Sequence, residues 1–140
     1  MIINEIIRYT SEHLLEIHQL LDICYPNPPK DVFYRFLALN NSGMRNYHAF
    51  ATDGKIIGMV QLSPNSKGGT LETLAVHPNF RGQSIGNKLC SRLVLENQGV
   101  IQLTTRIPKF FGKFGFHLIK ELPDKSIYMV RFNTGKNDYD

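Results

Sequence analysis

Apolar and polar positions along the chain alternate between two periods, about 2 and about 3.6, and so divide it into short strands and helices. Residues 2–9 (IINEIIRY) are isoleucine-rich and predict a first strand. Ser11 has the chemistry of a helix cap, and Leu14, Ile17, Leu21 and Ile23 then share a helical face up to about Cys24. Pro26, Pro28 and Pro29 break that pattern, and Asp31 can cap a shorter helix to about Leu39. Residues 47–52 and 55–62 flank Asp53-Gly54, a dipeptide that favours a two-residue hairpin turn. Residues 64–69 read as a flexible loop before a strand starting at Thr70. Ile85, Leu89, Leu93 and Val94 line one face of a further helix, and residues 100–104 predict a strand. Pro108 opens a short helix, and residues 116–119 and 126–132 finish the sheet. The pattern predicts one α/β domain over residues 1–132, followed by a polar, disordered tail over 133–140.

The most specific chemistry lies in residues 70–86, TLETLAVHPNFRGQSIG. An apolar strand closes at His77-Pro78, and an Arg-Gly turn leads directly into a helix. The first amides of a helix have no intrahelical partner and sit at the positive end of its dipole, so a phosphate is their natural ligand. Arg81 adds a fixed charge and a fork of donors suited to phosphate oxygens. Gly82 and Gly86 allow a bulky anion to approach the backbone. Spacing excludes two familiar phosphate loops. A Walker loop starting at Gly82 would need glycine where Asn87 stands, and Lys88 is followed by Leu89. Gly82-Gln83-Ser84-Ile85-Gly86 does not fit the dinucleotide fingerprint either.

Arg81-Gly82-Gln83-Ser84-Ile85-Gly86, after Val76-His77-Pro78, resembles the acetyl-CoA loop of the GNAT superfamily of N-acetyltransferases, Arg/Gln-x-x-Gly-x-Gly/Ala after Val-x-Pro. Ser84 replaces the first glycine; it keeps its amide, and its hydroxyl has the chemistry of a helix cap. A second block, residues 103–116 (LTTRIPKFFGKFGF), has the aromatic pair and Gly-Phe of the superfamily's C-terminal motif. Its opening Leu-Thr-Thr-Arg is similar to the acetyltransferase domain of bacterial N-acetylglutamate synthase. The two motifs span residues 55–131, and residues 1–50 match in outline only. The resemblance implies a GNAT fold, an α/β architecture whose mixed central sheet of six to seven strands is flanked by about four helices. It also implies acetyl-CoA as cosubstrate and no metal, with cofactor contacts from Leu74, Ala75, Val76, Arg81, Gly82, Gln83, Ser84, Ile85, Gly86 and Phe111.

Composition narrows the class further. The chain has 140 residues, 42% of them hydrophobic, and no run long enough to cross a membrane. A chain of this size buries about two-thirds of its unfolded surface. No basic segment followed by an apolar one opens the chain, so a cytoplasmic setting is expected. Cys24 and Cys90 lack metal-ligand spacing and read as buried thiols. Lys and Arg total 16 against 12 Asp and Glu, giving a net charge of +4. A mild positive field suits a polyphosphate, while the absence of a dense basic block argues against nucleic acid. A monomer or homodimer acting on a small amine is expected.

Acetyl transfer requires an amine to attack a thioester, and a protonated amine is not a nucleophile, so a base must take its proton. Glu72, on the strand beside the loop, is the candidate base, since the superfamily often places a carboxylate there; otherwise it is a solvated or ion-paired strand residue. Amides of Leu74 to Val76 can hold the pantetheine arm as an extra strand, and one can bind the developing oxyanion. The superfamily's tyrosine acid corresponds to Phe111, which donates no proton. A departing thiol of pKa about 8.5 needs little help, and the synthase-like branch is also apolar there. Arg106 matches the synthase's substrate-side arginine and is the candidate partner for an acceptor carboxylate, with Arg35 or Arg45 as a second contact. The plain alternative for Arg106 is a surface residue at a strand end. Three functions follow: acetyl transfer to a primary amine, an amino acid among the candidates; acyl-CoA binding without turnover; or N-acetylation of a peptide or protein.

Overall fold

A computed structural model describes residues 2–25, 46–97 and 99–133. Its strands are β1 (Asn4–Ile7), β2 (Asn46–Thr52), β3 (Lys55–Asn65), β4 (Gly68–Val76), β5 (Gly99–Thr105), β6 (His117–Glu121) and β7 (Ile127–Asn133). Its α-helices are α1 (Leu14–Cys24), α2 (Ile85–Glu96) and α3 (Pro108–Gly112), with 3₁₀ turns at Ser11–His13 and Pro78–Phe80. The strands form one seven-stranded sheet in the order β1-β2-β3-β4-β5-β7-β6, in which β4 and β5 are the parallel pair. The expected helix at 31–39, the proline break, Arg35, Arg45 and residues 134–140 lie outside the described residues. Asn133, expected in the tail, ends β7 opposite Gly99.

Turn chemistry sets the registers. Asp53 and Gly54 both take positive φ (50° and 82°), the requirement of the hairpin turn that joins β2 to β3. The Asp53 amide and carboxylate also exchange hydrogen bonds with Ile3, at 2.8 and 2.9 Å, which ties the start of the chain to this turn. Residues 64–69 do not form the expected loop. β3 runs on to Asn65 and turns at once into β4, with Pro64 opposite Gly69. Asn65 Oδ1 accepts from the amides of Lys67 and Gly68 at 2.8 and 2.9 Å and so builds the turn with its own side chain. Pro64 lies past Leu62, the last β3 residue paired with β2 among the described residues, where a residue that donates no ladder bond is tolerated.

The sheet is covered on both faces. On one, Ile17, Leu20 and Leu21 of α1 pack with Tyr9, Ala49, Ile56, Met59 and Ala75. On the other, Ile85, Leu89, Cys90 and Leu93 of α2 pack with Phe50, Ile57, Val60, Leu62, Leu71, Ile101 and Leu103. Burying each such aliphatic side chain is worth about 1.5–3 kcal/mol, so both helices are held chiefly by these stripes. A bulge at Phe50/Ala51 places Ala51 opposite Ile56 and Phe50 opposite Gly58. The extra residue, Ile57, resets the alternation of β3 so that Ile56 and Met59 share the α1 face. Gly58 lets α2 come down on the sheet: a Cβ there would lie 3.0 Å from Ile85 Cγ2 and 3.2 Å from Leu89 Cδ1. Ile23, expected on the apolar face of α1, is exposed, and Leu20 takes its place. Thr10 rather than Ser11 caps this segment; its Oγ1 accepts from the Glu12 amide while its own amide donates to His13 Nδ1.

Candidate active site

The site begins where the sheet opens. β4 pairs with β3 along its length but with β5 only through Gly68–Thr70, opposite Val100–Gln102. The register of β3 on β4 then slips between Gln61 and Leu62, which oppose Thr73 and Leu71, leaving Glu72 as the bulged residue. A bulge bends its strand and re-aims the local side chain. Glu72 therefore sits at the point where β4 turns away from β5, and residues 71–76 have no strand paired on that side among the described residues. Sequence patterning carries no signal for this bulge; Glu72 was singled out by the family resemblance alone.

Side chains and turns show which backbone groups face the opening. The Leu74 carbonyl accepts from the Tyr25 hydroxyl at 3.4 Å, and the Val76 carbonyl accepts from Cys24 Sγ at 3.4 Å and Arg81 Nε at 3.0 Å. The His77 amide instead donates to the Ile57 carbonyl at 2.8 Å, on the β3 side. Because strand groups alternate sides, the Leu74 and Val76 backbone faces the opening and that of Ala75 faces β3. An extended arm lying in the opening can bond to Leu74 and Val76; the Ala75 amide is turned away from it.

The turn after β4 is shaped by its own polar groups. His77 Nδ1 accepts from the Asn79 amide at 3.1 Å, capping the 3₁₀ turn. Gly82 (φ +84°) and Ser84 (φ +64°) then take left-handed backbone. Ser84 is the N-cap of α2, its carbonyl accepting the Lys88 amide at 3.0 Å, but its hydroxyl makes no capping bond. The expected hydroxyl cap is thus absent, because the left-handed backbone turns the side chain away from the first helical amides. Arg81, with Nε held by Val76, closes the other side. Val76, Arg81, Gly82, Ser84, Ile85, Gly86, Asn87 and Phe110 line a cavity of about 290 Å³ at the N-terminus of α2. Gln83, expected among the cofactor contacts, lies in this turn but not in that lining. A second cavity of about 400 Å³ shares Val76, Arg81, Gly86 and Phe110 and continues along β4 past Leu74 to Cys24, Tyr25 and Ile107. The two make one cleft, with its mouth at the N-terminus of α2 beside Arg81 and a bore walled by Leu74, Val76, Ile107 and Phe110.

Phe111 does not line this cleft. It is buried, packing edge-on against Phe110 and Phe116 at centroid distances of 4.9 and 5.9 Å, and Phe110 is the aromatic that faces the opening. One residue of helical phase separates the two roles: Ile107 and Phe110, three apart, share the cleft face while Phe111 turns to the sheet. Cys24, Tyr25 and Asn87 were not anticipated either. The end of α1 reaches β4 only through the tertiary fold, whereas Asn87 lies one position past the recognised loop. Cys24 is half-buried rather than buried as expected, and Tyr25 is partly exposed; partial desolvation raises the Cys24 thiol and Tyr25 phenol above their usual pKa values, and nearby Arg81 offsets part of each rise.

Arg106 stands just outside the bore, one residue before Ile107, whose amide donates to Thr105 Oγ1 at 2.9 Å. Its Nη2 lies 3.6 Å from Asp124 Oδ2, and both side chains are exposed. Asp124 also accepts from the Ser126 hydroxyl at 2.6 Å and amide at 3.0 Å. These bonds, with a smaller contribution from Arg106, hold its carboxyl below the ordinary range. The pair fastens the β6–β7 turn to the end of β5.

The acetyltransferase (GNAT) domain family matches residues 45–118, more than half of the chain and the part that carries the cleft. Comparison with curated proteins finds no sequence match. Among solved structures, ribosomal-protein-S18-alanine N-acetyltransferase from Escherichia coli superposes with a TM-score of 0.81 at 15% identity, over 97% of each chain. An aminoglycoside 6′-N-acetyltransferase complexed with coenzyme A gives 0.78 at 17% identity, over 96% of this chain and 99% of that one. A GNAT family N-acetyltransferase from Escherichia coli in complex with CoA gives 0.77 at 19%, over 94% and 82%. The expected fold class is the observed one. The chain belongs to the acetyltransferase (GNAT) domain family, and the solved structures it superposes on are N-acetyltransferases.

Proposed function

We propose that this chain transfers the acetyl group of acetyl-CoA to a primary amine of an amino acid by direct attack on the thioester. The observation that carries this reading is the continuous cleft from the N-terminus of α2 along β4 to Leu74, two residues from the Glu72 bulge. Arg81 and the loop amides over Gly82–Gly86 suit the pyrophosphate. The Leu74 and Val76 backbone groups suit the pantetheine amides, which add to β4 as an extra strand. Glu72 takes the amine proton, directly or through water, so that the lone pair attacks the thioester carbon.

The amino-acid part of the proposal rests on Arg106 and on the resemblance of Leu103-Thr104-Thr105-Arg106 to the N-acetylglutamate synthase block. A guanidinium pairs two-pronged with a carboxylate, and at this position the acceptor must displace or share Asp124. The test is thiol release from acetyl-CoA against a panel of amino acids, polyamines and peptides. Amino acids should be preferred, and Arg106→Ala should lower their kcat/KM about 10–100-fold while sparing carboxylate-free amines. Equal loss across the panel, or none, would make Arg106 structural. Preference for a peptide would move the reading to protein acetylation, and binding without thiol release would leave a regulatory module.

A further inference from the structure

The departing thiolate needs a view of where its proton comes from. Phe111, at the position where the resembled motif carries tyrosine, is chemically incapable of donating one and is packed into the core away from the cleft. The opposite wall of the same bore is formed by the end of α1. Tyr25 is fixed there by its amide, which donates to the Leu21 carbonyl at 2.8 Å. Its phenol lines the bore with Leu74, Val76, Gly86, Ile107 and Phe110. The Tyr25 oxygen lies 3.4 Å from the Leu74 carbonyl, beyond the roughly 2.5–3.0 Å of a firm O–H···O bond. The hydroxyl is therefore held loosely, beside the backbone edge on which an extended thioester arm would lie.

We propose that Tyr25 is the general acid of the transfer, a role moved from α3 to the end of α1; the assignment rests on the acetyltransferase reading above. The amine nitrogen bonds to the thioester carbon, and the tetrahedral intermediate collapses with cleavage of the carbon–sulfur bond. The bonding pair goes to sulfur, which takes the phenolic proton of Tyr25. The phenolate regains a proton from solvent, and solvent receives the proton that the amine gave to the base. The overall change is one amide and one thiol from one amine and one thioester. Tyr25 is about one-third exposed (37%), and desolvation of the part that meets the bore wall raises its phenol from the usual value of 10, so the neutral, proton-bearing form is the one held beside Leu74. Cys24, its neighbour on the same wall, is the rival donor, with its thiol on the Val76 carbonyl.

Tyr25→Phe keeps the ring and removes the proton. It should lower kcat roughly 10²-fold with acetyl-CoA affinity, measured by calorimetry, within about twofold of the wild type. The decisive variant replaces Tyr25 with a fluorinated tyrosine, which has the same shape and a more acidic phenol. The alkaline limb of kcat should then move to lower pH in step with the acidity of the phenol. Unchanged kcat in Tyr25→Phe would overturn the proposal. So would an alkaline limb that ignores fluorination and disappears in Cys24→Ala. A wild-type chain that binds acetyl-CoA but releases no thiol with any acceptor would overturn the acetyltransferase reading itself.

Discussion

Ser84 occupies a left-handed backbone position that L residues with a side chain adopt at a cost of roughly 1–2 kcal/mol, and its hydroxyl gains no capping bond in return. Ser84→Gly is accordingly expected to stabilise the fold by about 1 kcal/mol, read as a higher Tm; a lower Tm would mean that the hydroxyl has a partner this geometry does not give it. His48 presents the opposite case, a buried polar side chain whose Nε2 meets Glu96 Oε1 at 3.0 Å. Burial lowers its pKa, Glu96 opposes that shift, and Arg8 and Arg92 reinforce it. The unfolded chain therefore binds a proton at this site more readily than the native one. Stability should fall as pH drops below the free histidine value of about 6.5, and His48→Gln should flatten that fall in thermal melts between pH 7 and 5. At this scale the sequence named residue types well and orientations poorly. That Arg81, Gly82, Ser84 and Gly86 would share one cavity wall was legible, because a fixed local spacing makes the loop. Which of Phe110 and Phe111 faces the opening was not legible, because five helical residues give too little periodicity to fix a phase.

At the scale of elements, α2 serves two tasks at once: its N-terminus forms the mouth of the cleft and its stripe anchors the sheet. Leu89→Ala leaves a cavity under Gly58 and is expected to cost about 2–5 kcal/mol, measurable by denaturant titration. Because the same helix positions the loop, that variant should also weaken acetyl-CoA binding, whereas Ser91, on the exposed side, should tolerate alanine in both measurements. The hairpin β2–β3 was readable from Asp53-Gly54, a turn that its residues force. The hairpin β3–β4 was not, since Pro64 and two glycines resemble a loop until Pro64 is seen to pair with Gly69 and Asn65 with Gly68. Bulges at Ile57 and Glu72 were likewise invisible, because each exists only relative to a partner strand.

For the molecule as a whole, the proposed acetyl transfer needs three parts to act together: an open sheet, an anion-friendly helix start and a carboxylate at the bend of β4. Glu72→Gln should lower turnover at neutral pH by roughly 10²-fold or more with little change in acetyl-CoA affinity, and full activity would assign the proton to water or another group. No helix of the described residues is long and apolar enough to cross a membrane. The cleft itself is tested most directly at Gly86. A Cβ there would lie 3.5 Å from Phe110 Cζ, across the narrow part of the opening, and a carboxylate would repel the pyrophosphate. Aspartate in the first turn of a helix is otherwise favourable, so Gly86→Asp should fold with an unreduced Tm. The measurement is the thermal shift on titration with acetyl-CoA. At about 100 times its Kd the ligand should stabilise the wild type by about 2.7 kcal/mol, and in Gly86→Asp that shift should vanish. An equal shift in both proteins would place the cofactor elsewhere and contradict the account.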